Sequence, residues 1–465
     1  MPTPPLFTTL PLLPALLATL DDLGYAQMTA IQAAALPLVL AGKDVTGKAK
    51  TGSGKTATFG LGILNKLQVK QFRVQALVLC PTRELADQVA RELRKLARAI
   101  HNIKILTICG GAAFGPQVGS LQHGAHIIVG TPGRVHDHLR KNNLSLEHVH
   151  TLVLDEADRM LDMGFQETLE AITEAVPEQR QTLLFSATYP DTINSLARCV
   201  QKHPQMVEVE ATHSDSSIEQ HFYQLAEGSR DRGLATVLEH FEPQSTVVFC
   251  NTKRETDEVA NFLKQAGVAA LALHGDMVQG ERNQTLTCFA NKSASVLVAT
   301  DVAARGLDIE ELDMVVNYHL ARDPEVHVHR IGRTGRAGQN GLAISLLTEK
   351  EHYKLERLSH LLDQALTAER LPTTRYPAGS GHHSIKPKMI TLQIDAGKKQ
   401  KIRPGDIVGA LTGEGGIAGD QVGKIQVFDF CAYVAVNRDV AREALEKLSK
   451  GKLKGRACRA RIIKV

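Results

Sequence analysis

A chain of 465 residues is more than one hydrophobic core can serve and implies roughly three domains. Its 43% apolar content lets each of them bury a core, and the lack of any run of ~18 uninterrupted apolar residues excludes a membrane-spanning helix. The net charge of +4 is unevenly spread: from residue 371 onward 18 Lys+Arg face 8 Asp+Glu, a net of +10, which leaves −6 for everything before it. A basic end of this kind predicts a polyanion partner, most simply nucleic acid.

In chain order, the leucine-rich stretch 10–20 lacks a basic leader, is interrupted by Pro11 and Pro14, and runs into Asp21-Asp22, so it does not read as a signal peptide. Short β-branched runs then alternate with helical patterns, at 76–80, 105–109, 126–129, 151–154 and 181–185, and again at 246–250, 269–273, 295–299, 314–317 and 342–346. Nearly continuous apolar strands separated by helices predict an α/β fold with parallel sheets covered on both faces. Two such sets predict two doubly wound lobes, 1–208 and 218–370, followed by a Pro/Gly/Ser-rich linker at 371–384 that includes His382-His383. Residues 385–465 change rhythm. Strand at 389–394, helix at 404–411, strands at 422–428 and 431–436, helix at 439–449 and strand at 457–465 give β-α-β-β-α-β, a small α+β domain of the ferredoxin-like order that RNA-recognition domains share. The seven cysteines form no C-x-x-C pair and fit a reducing compartment, so a soluble cytoplasmic protein is expected.

The segment Ala49-Lys50-Thr51-Gly52-Ser53-Gly54-Lys55-Thr56 follows a predicted strand at 43–47 and opens a helix. Its glycines let backbone N–H groups close around phosphate oxygens. Lys55 supplies a charge to the β- and γ-phosphates, and Thr56 offers its hydroxyl to Mg²⁺. The stricter motif has Gly where Ala49 stands. About a hundred residues on, Asp155-Glu156-Ala157-Asp158 follows an apolar strand. Asp155 is placed to hold Mg²⁺, and Glu156 to orient and deprotonate the attacking water. The competing reading is that these acids merely cap the next helix. The second lobe has no phosphate loop, which predicts one ATP bound between the lobes. His329-Arg-Ile-Gly-Arg333-Thr-Gly-Arg336 is suited to present Arg333 and Arg336 as arginine fingers, with His329 beside them.

With Asp-Glu-Ala-Asp at 155–158, the sequence resembles the DEAD-box RNA helicases over residues 7 to about 345. The resemblance implies two RecA-like lobes and an adenine-reading motif that places Tyr25 in the ATP site, with Gln32 bonding the Hoogsteen edge of the base and Phe7 stacking on it. Met28 and Ala30 stand where the family usually has prolines, which predicts a less rigid loop. It further implies RNA contacts from Thr82, Arg83, Gly111, Thr131, Pro132, Gly133 and Arg134 in the first lobe, and from Arg282, Thr300 and Asp301 in the second. Ser186, Ala187 and Thr188 would couple hydrolysis to RNA work, and Gly306 and Asp308 would complete the ATP site. Such groups suit phosphate and ribose, which carry no base sequence. Closure on ATP would bend one strand and open a short duplex.

A core that grips backbone leaves target choice to the C-terminal domain, which resembles that of a bacterial branch of the family. In that branch it docks on a hairpin of 23S ribosomal RNA, which implies RNA rearrangement in pre-50S particles by a monomer, with no DNA or membrane partner. The third strand offers only Tyr433 for base stacking, so binding is expected from Lys398, Lys399, Lys401, Arg403 and Tyr433. The alternatives are an ATP-gated RNA clamp that does not unwind, a DNA helicase, and a C-terminal module for partner binding or oligomerisation.

Overall fold

The computed structural model describes residues 5–49, 52–186, 191–209, 218–304, 312–335, 341–373 and 386–465. The first lobe is built on Val45–Lys48 (β1), Ala76–Leu79 (β2), Ile105–Ile108 (β3), Ile127–Gly130 (β4), Thr151–Asp155 (β5), Gln181–Ser186 (β6) and Gln205–Glu208 (β7). They form one sheet in the order β3-β4-β2-β5-β6-β1-β7, with every pairing parallel. Strand alternation splits the apolar residues between two cores. Ala76, Val78, Val153, Leu183 and Phe185 pack under the helices Ala30–Leu40, Lys55–Lys66 and Arg83–Leu96. Leu77, Leu79, Leu152, Leu154 and Leu184 pack under Pro132–Arg140, Gln166–Glu174 and Asp191–Val200 on the other face. β1 and β5 lie on either side of β6, so the phosphate loop and the acidic motif leave the same edge as near neighbours. That edge, at the carboxyl ends of the strands, is where open parallel sheets bind ligands.

The second lobe repeats the plan with Ile218–Leu225 (β8), Thr246–Cys250 (β9), Ala270–Leu273 (β10), Val296–Thr300 (β11), Met314–Asn317 (β12), Gly341–Thr348 (β13) and Glu369–Arg370 (β14). Their order is β10-β11-β9-β12-β13-β8-β14, again all parallel.

The C-terminal domain is a four-stranded antiparallel sheet of Met389–Ile394 (β15), Val422–Val427 (β16), Ala432–Asn437 (β17) and, after a small hairpin, Ala460–Ile462 (β20). The order is β16-β17-β15-β20. One face, with Leu392, Ile394, Ala432, Val434 and Val436, is covered by the helices Pro404–Thr412 and Ala441–Lys450. The last strand is shorter than the predicted 457–465, because Lys452–Leu453 (β18) and Arg456–Ala457 (β19) pair as a hairpin first. Lys454 and Gly455 both have positive φ, at 50° and 77°, as a two-residue turn with the right twist for a hairpin requires.

The other face of this sheet is not open. The domain and the second lobe form one compact unit. Thr391 Oγ1 lies 2.7 Å from Ser293 Oγ and accepts from Asn291 Nδ2 at 3.1 Å, and Gln426 Oε1 accepts from the Thr287 hydroxyl at 2.9 Å. Tyr433 packs with Cys288 and Ile463, flanked by Leu271 and Val465. The lobe's contribution comes from the helix Gln279–Ala290 and the turn after it, together with Leu271 of β10.

Candidate nucleotide and RNA site

Gly54, at φ 101°, turns the chain into the helix Lys55–Lys66, so the first N–H groups of that helix face the phosphate loop. Lys55 is buried, and its Nζ donates to the Ala49 carbonyl at 3.0 Å. Ser53 Oγ is buried without a hydrogen-bond partner. Lys50 and Thr51 lie outside the described residues.

Asp155 ends β5 and is only 3% exposed, and its Oδ1 has no partner. Burial pushes its carboxyl up to about 6, against the pull of the Lys55 charge; the neighbouring Glu156 carboxylate adds to the rise. A buried, orphaned carboxylate oxygen beside a phosphate loop whose helix opens on Lys55-Thr56 fits Mg²⁺. This ion is commonly held by one or two carboxylates together with substrate phosphates. Glu156 adopts a left-handed conformation (φ 53°, ψ 53°), and its side chain makes no capping bond to the helix Ala157–Asp162. A simple helix-capping role for this acid therefore fails. The strained backbone instead sets Glu156 beside Asp155 at the strand end.

Gln32 is joined directly to the phosphate loop. Its Nε2 donates to the Gly54 carbonyl at 3.3 Å, while its Oε1 accepts from Thr29 N–H at 2.8 Å. The Gln32 N–H in turn donates to Thr29 Oγ1, closing a capping box at the start of Ala30–Leu40. This reciprocal pair supplies stiffness that the missing prolines do not. A Cβ at Gly54 would lie 2.6 Å from Gln32 Nε2, so the site demands glycine. One expectation for this motif changes. Phe7 is 3% exposed and belongs to the lobe's core, so its ring is not an open platform for a base. Tyr25 is engaged with the helix Arg83–Leu96, donating to Glu92 Oε1 at 3.1 Å with Lys95 Nζ 5.3 Å from its ring centre.

The first-lobe residues expected to meet RNA converge. Thr82 caps Arg83–Leu96 by accepting from Leu85 N–H, and the Arg83 guanidinium lies so close to Gly111 (φ 71°) that a Cβ there would collide with it. Thr131 Oγ1 accepts from Gly110 N–H at 3.4 Å, and Pro132 and Gly133 begin the next helix. Arg134 donates to the Ala112 carbonyl at 2.9 Å and to Gln117 Oε1 at 2.8 Å. Gln117, which sequence reasoning missed, also donates to the Cys109 carbonyl at 2.9 Å and accepts from His138 Nε2 at 2.9 Å. Burial and the Arg134 charge push His138 toward its neutral form, and it stacks on Phe114 with ring centres 4.2 Å apart. A lone glutamine has no sequence signature, so only the fold reveals that it ties both glycine-rich turns together. Ser186 is buried at the end of β6; Ala187 and Thr188 lie outside the described residues.

In the second lobe, Arg282 Nη2 donates to the Ala303 carbonyl at 2.8 Å, and Thr300 Oγ1 accepts from Ala303 N–H. Asp301, expected at RNA, is instead paired with Arg330, which also donates to Asn317 Oδ1 and the His319 carbonyl and lies 5.2 Å from the Phe249 ring centre. Arg330 is 3% exposed, whereas His329 and Arg333 on either side are half-buried. His329 Nδ1 is buried without a hydrogen bond. Gly306, Asp308 and Arg336 lie outside the described residues.

In the C-terminal domain Lys398, Lys399, Lys401 and Arg403 are exposed around the start of Pro404–Thr412. Tyr433 is 4% exposed and closed against Cys288, so the base-stacking role expected of it is blocked by the second lobe.

Three family models match the chain: DEAD/DEAH box helicase over residues 29–196, helicase conserved C-terminal domain over 229–338, and DbpA RNA binding domain over 391–462. The ATP-dependent RNA helicase DbpA of Escherichia coli (strain K12) is 53% identical over 459 residues, covering 98% of this chain and 99% of the relative. The DEAD-box ATP-dependent RNA helicase CshA of Geobacillus kaustophilus (strain HTA426) is 44% identical over 368 residues, 79% of each chain. Among solved structures, S. cerevisiae Dbp5 bound to RNA and ADP BeF3 aligns with a TM-score of 0.72 at 30% identity, covering 79% of this chain and 95% of that one. Kinship over nearly the whole length, in a chain that sets an orphaned aspartate beside a phosphate loop, places this protein in the DEAD-box family of ATP-dependent RNA helicases.

Proposed function

We propose that this helicase opens short duplex segments of 23S ribosomal RNA during assembly of the large ribosomal subunit, acting as a cytoplasmic monomer on pre-50S particles. The observation that carries the reading is a basic domain of the DbpA RNA-binding type, held on the second lobe with Lys398, Lys399 and Lys401 exposed. A domain so charged favours polyanions, and its fixed seat would let a gripped hairpin follow the lobe that carries it.

In the proposed cycle Lys55 leaves the Ala49 carbonyl for the β- and γ-phosphates of ATP. Asp155 and Thr56 would hold Mg²⁺, which when bound neutralises charge building on the phosphates. Glu156 orients and deprotonates water, and Arg333 with Arg336 stabilises the γ-phosphate charge from the second lobe. Thr82, Arg83, Thr131, Arg134, Arg282 and Thr300 grip sugar and phosphate, and ribose hydroxyls favour RNA over DNA.

The test is strand displacement from a short duplex placed beside a 23S hairpin, compared with the same duplex beside unrelated RNA. Faster release beside the ribosomal hairpin is expected. Equal rates would remove the target assignment, and binding without strand release under multiple-turnover ATP would favour an ATP-gated clamp.

A further inference from the structure

The turn between β16 and β17 runs Phe428-Asp429-Phe430-Cys431 and is closed by the Phe428 N–H donating to the Cys431 carbonyl at 2.8 Å. The domain has three aromatic residues after 385, and the fold treats them differently. Tyr433 is sealed at the junction with the second lobe, and Phe428 packs edge-on against it with ring centres 5.7 Å apart. Phe430, at the tip of the turn, is 69% exposed, more than any other large apolar side chain among the described residues. The hydrogen-bonded turn thus holds one ring with most of its surface open to a partner.

Two lysines are fixed beside it by backbone. Lys398 N–H donates to the Phe428 carbonyl at 2.8 Å and Lys399 N–H to the Asp429 carbonyl at 2.9 Å. Gly397 lies so close that a Cβ would collide with the Phe428 carbonyl. The side chains of Lys398 and Lys399 are exposed, and Asp429 is the one carboxylate on the turn itself.

We propose that Phe430 is a stacking platform for an unpaired RNA base, with Lys398 and Lys399 holding the phosphates on either side. An exposed ring flanked by cations matches a nucleotide, which offers a π-face between two charges. An apolar protein partner would have no use for the lysines. The sheet face, where such domains otherwise stack bases, is occupied by the second lobe. The proposal rests on the C-terminal domain being the RNA-gripping element, and it names the part of that element that takes a base.

The chain contains no tryptophan, so Phe430→Trp in the full-length protein creates a single tryptophan at the site, excited selectively at wavelengths the seven tyrosines do not absorb. Titration with a hairpin carrying unpaired loop bases should quench it, and a blunt duplex of equal length should not. Phe430→Ala should weaken loop binding about 5- to 150-fold, on the scale of base stacking, with an unchanged salt slope and normal unstimulated ATPase. Lys398→Ala and Lys399→Ala should each flatten the slope of log K against log salt by about 0.7. Unquenched tryptophan at saturating RNA, or wild-type affinity in Phe430→Ala, overturns the proposal. If the lysine variants lose affinity while Phe430→Ala does not, the domain still grips RNA and only the platform falls. If none of the three changes RNA binding, the domain's RNA-gripping role falls too.

Discussion

Arg330 clasps Asp301 through both carboxylate oxygens, Nε to Oδ1 at 2.7 Å and Nη2 to Oδ2 at 2.8 Å. Because the arginine is almost wholly buried and its remaining donors reach Asn317 and the His319 carbonyl, it braces the ends of β11 and β12 against the helix Pro324–Ile331. Replacing it with glutamine leaves a partly buried carboxylate and two acceptors without donors. A loss of about 3–5 kcal/mol is expected, read as an earlier urea transition in the full-length protein. Arg330→Lys should not restore it, since an ammonium cannot supply the paired fork. A wild-type midpoint in either variant would show that the clasp is not a brace.

Glu156→Gln keeps shape but cannot take a proton. ATP binding should persist while steady-state hydrolysis falls about 10²–10⁴-fold. Near-normal turnover would remove Glu156 from the water-activating position.

Gln117→Met keeps the length of the side chain but deletes the acceptor shared by Arg134 and His138 and the donor to the Cys109 carbonyl. Loss of a hydrogen bond to a charged group, roughly 1.5–3 kcal/mol, should raise the RNA concentration needed for half-maximal ATPase stimulation by about tenfold or more. The KM for ATP should not move. If both constants stay at wild-type values, Gln117 does not position the RNA-facing turns.

His319 gives the second lobe a dependence on pH. Burial disfavours its charged form, but the hydrogen bond to Glu255 and the Glu351 carboxylate 3.8 Å away outweigh that and the nearby Arg230 charge, raising its pKa. A raised folded value means its stabilisation is complete below the ordinary histidine range near 6.5 and fades as pH climbs through the folded value. The melting temperature of the second-lobe transition should therefore decline on going from pH 6 to above neutrality, and His319→Gln should flatten that decline. Glu351 acts at the other end. Burial disfavours its charge, yet His319, Lys354 and Arg230 hold its carboxyl well below the usual range, so its contribution disappears only in acid.

Tyr433→Ala should act at the junction. Amides at 287–293 should exchange faster as the domain loosens, because a large ring is removed from a packed cluster. Unchanged exchange there would mean that the polar bonds of Thr391 and Gln426 hold the domain alone.

Most central strands were readable because parallel sheets buried on both faces need continuous apolar runs; β9 and β12 fall where their sequence predicts. The edge strand β7 and β8, which pairs with both β13 and β14, were not. β7 reads Gln-Met-Val-Glu with only Val207 buried, and β8 mixes exposed Glu219 and Gln224 with buried Phe222, so neither carries an unbroken apolar signal. The phosphate loop and the acid pair were legible because chemistry fixes residue type and order. Burial is not written locally. Nothing near Phe7 or Tyr433 tells that each ring is enclosed, and only the register of Pro324–Ile331 turns Arg330 inward with His327.

The Gln32 amide, 5% exposed, spends both of its ends inside the protein, one on Thr29 and one on Gly54. One N–H and one lone pair of that amide remain beyond these two bonds, so a further partner could be met without breaking either, while the side chain links the start of the helix Ala30–Leu40 to the turn into the phosphate loop.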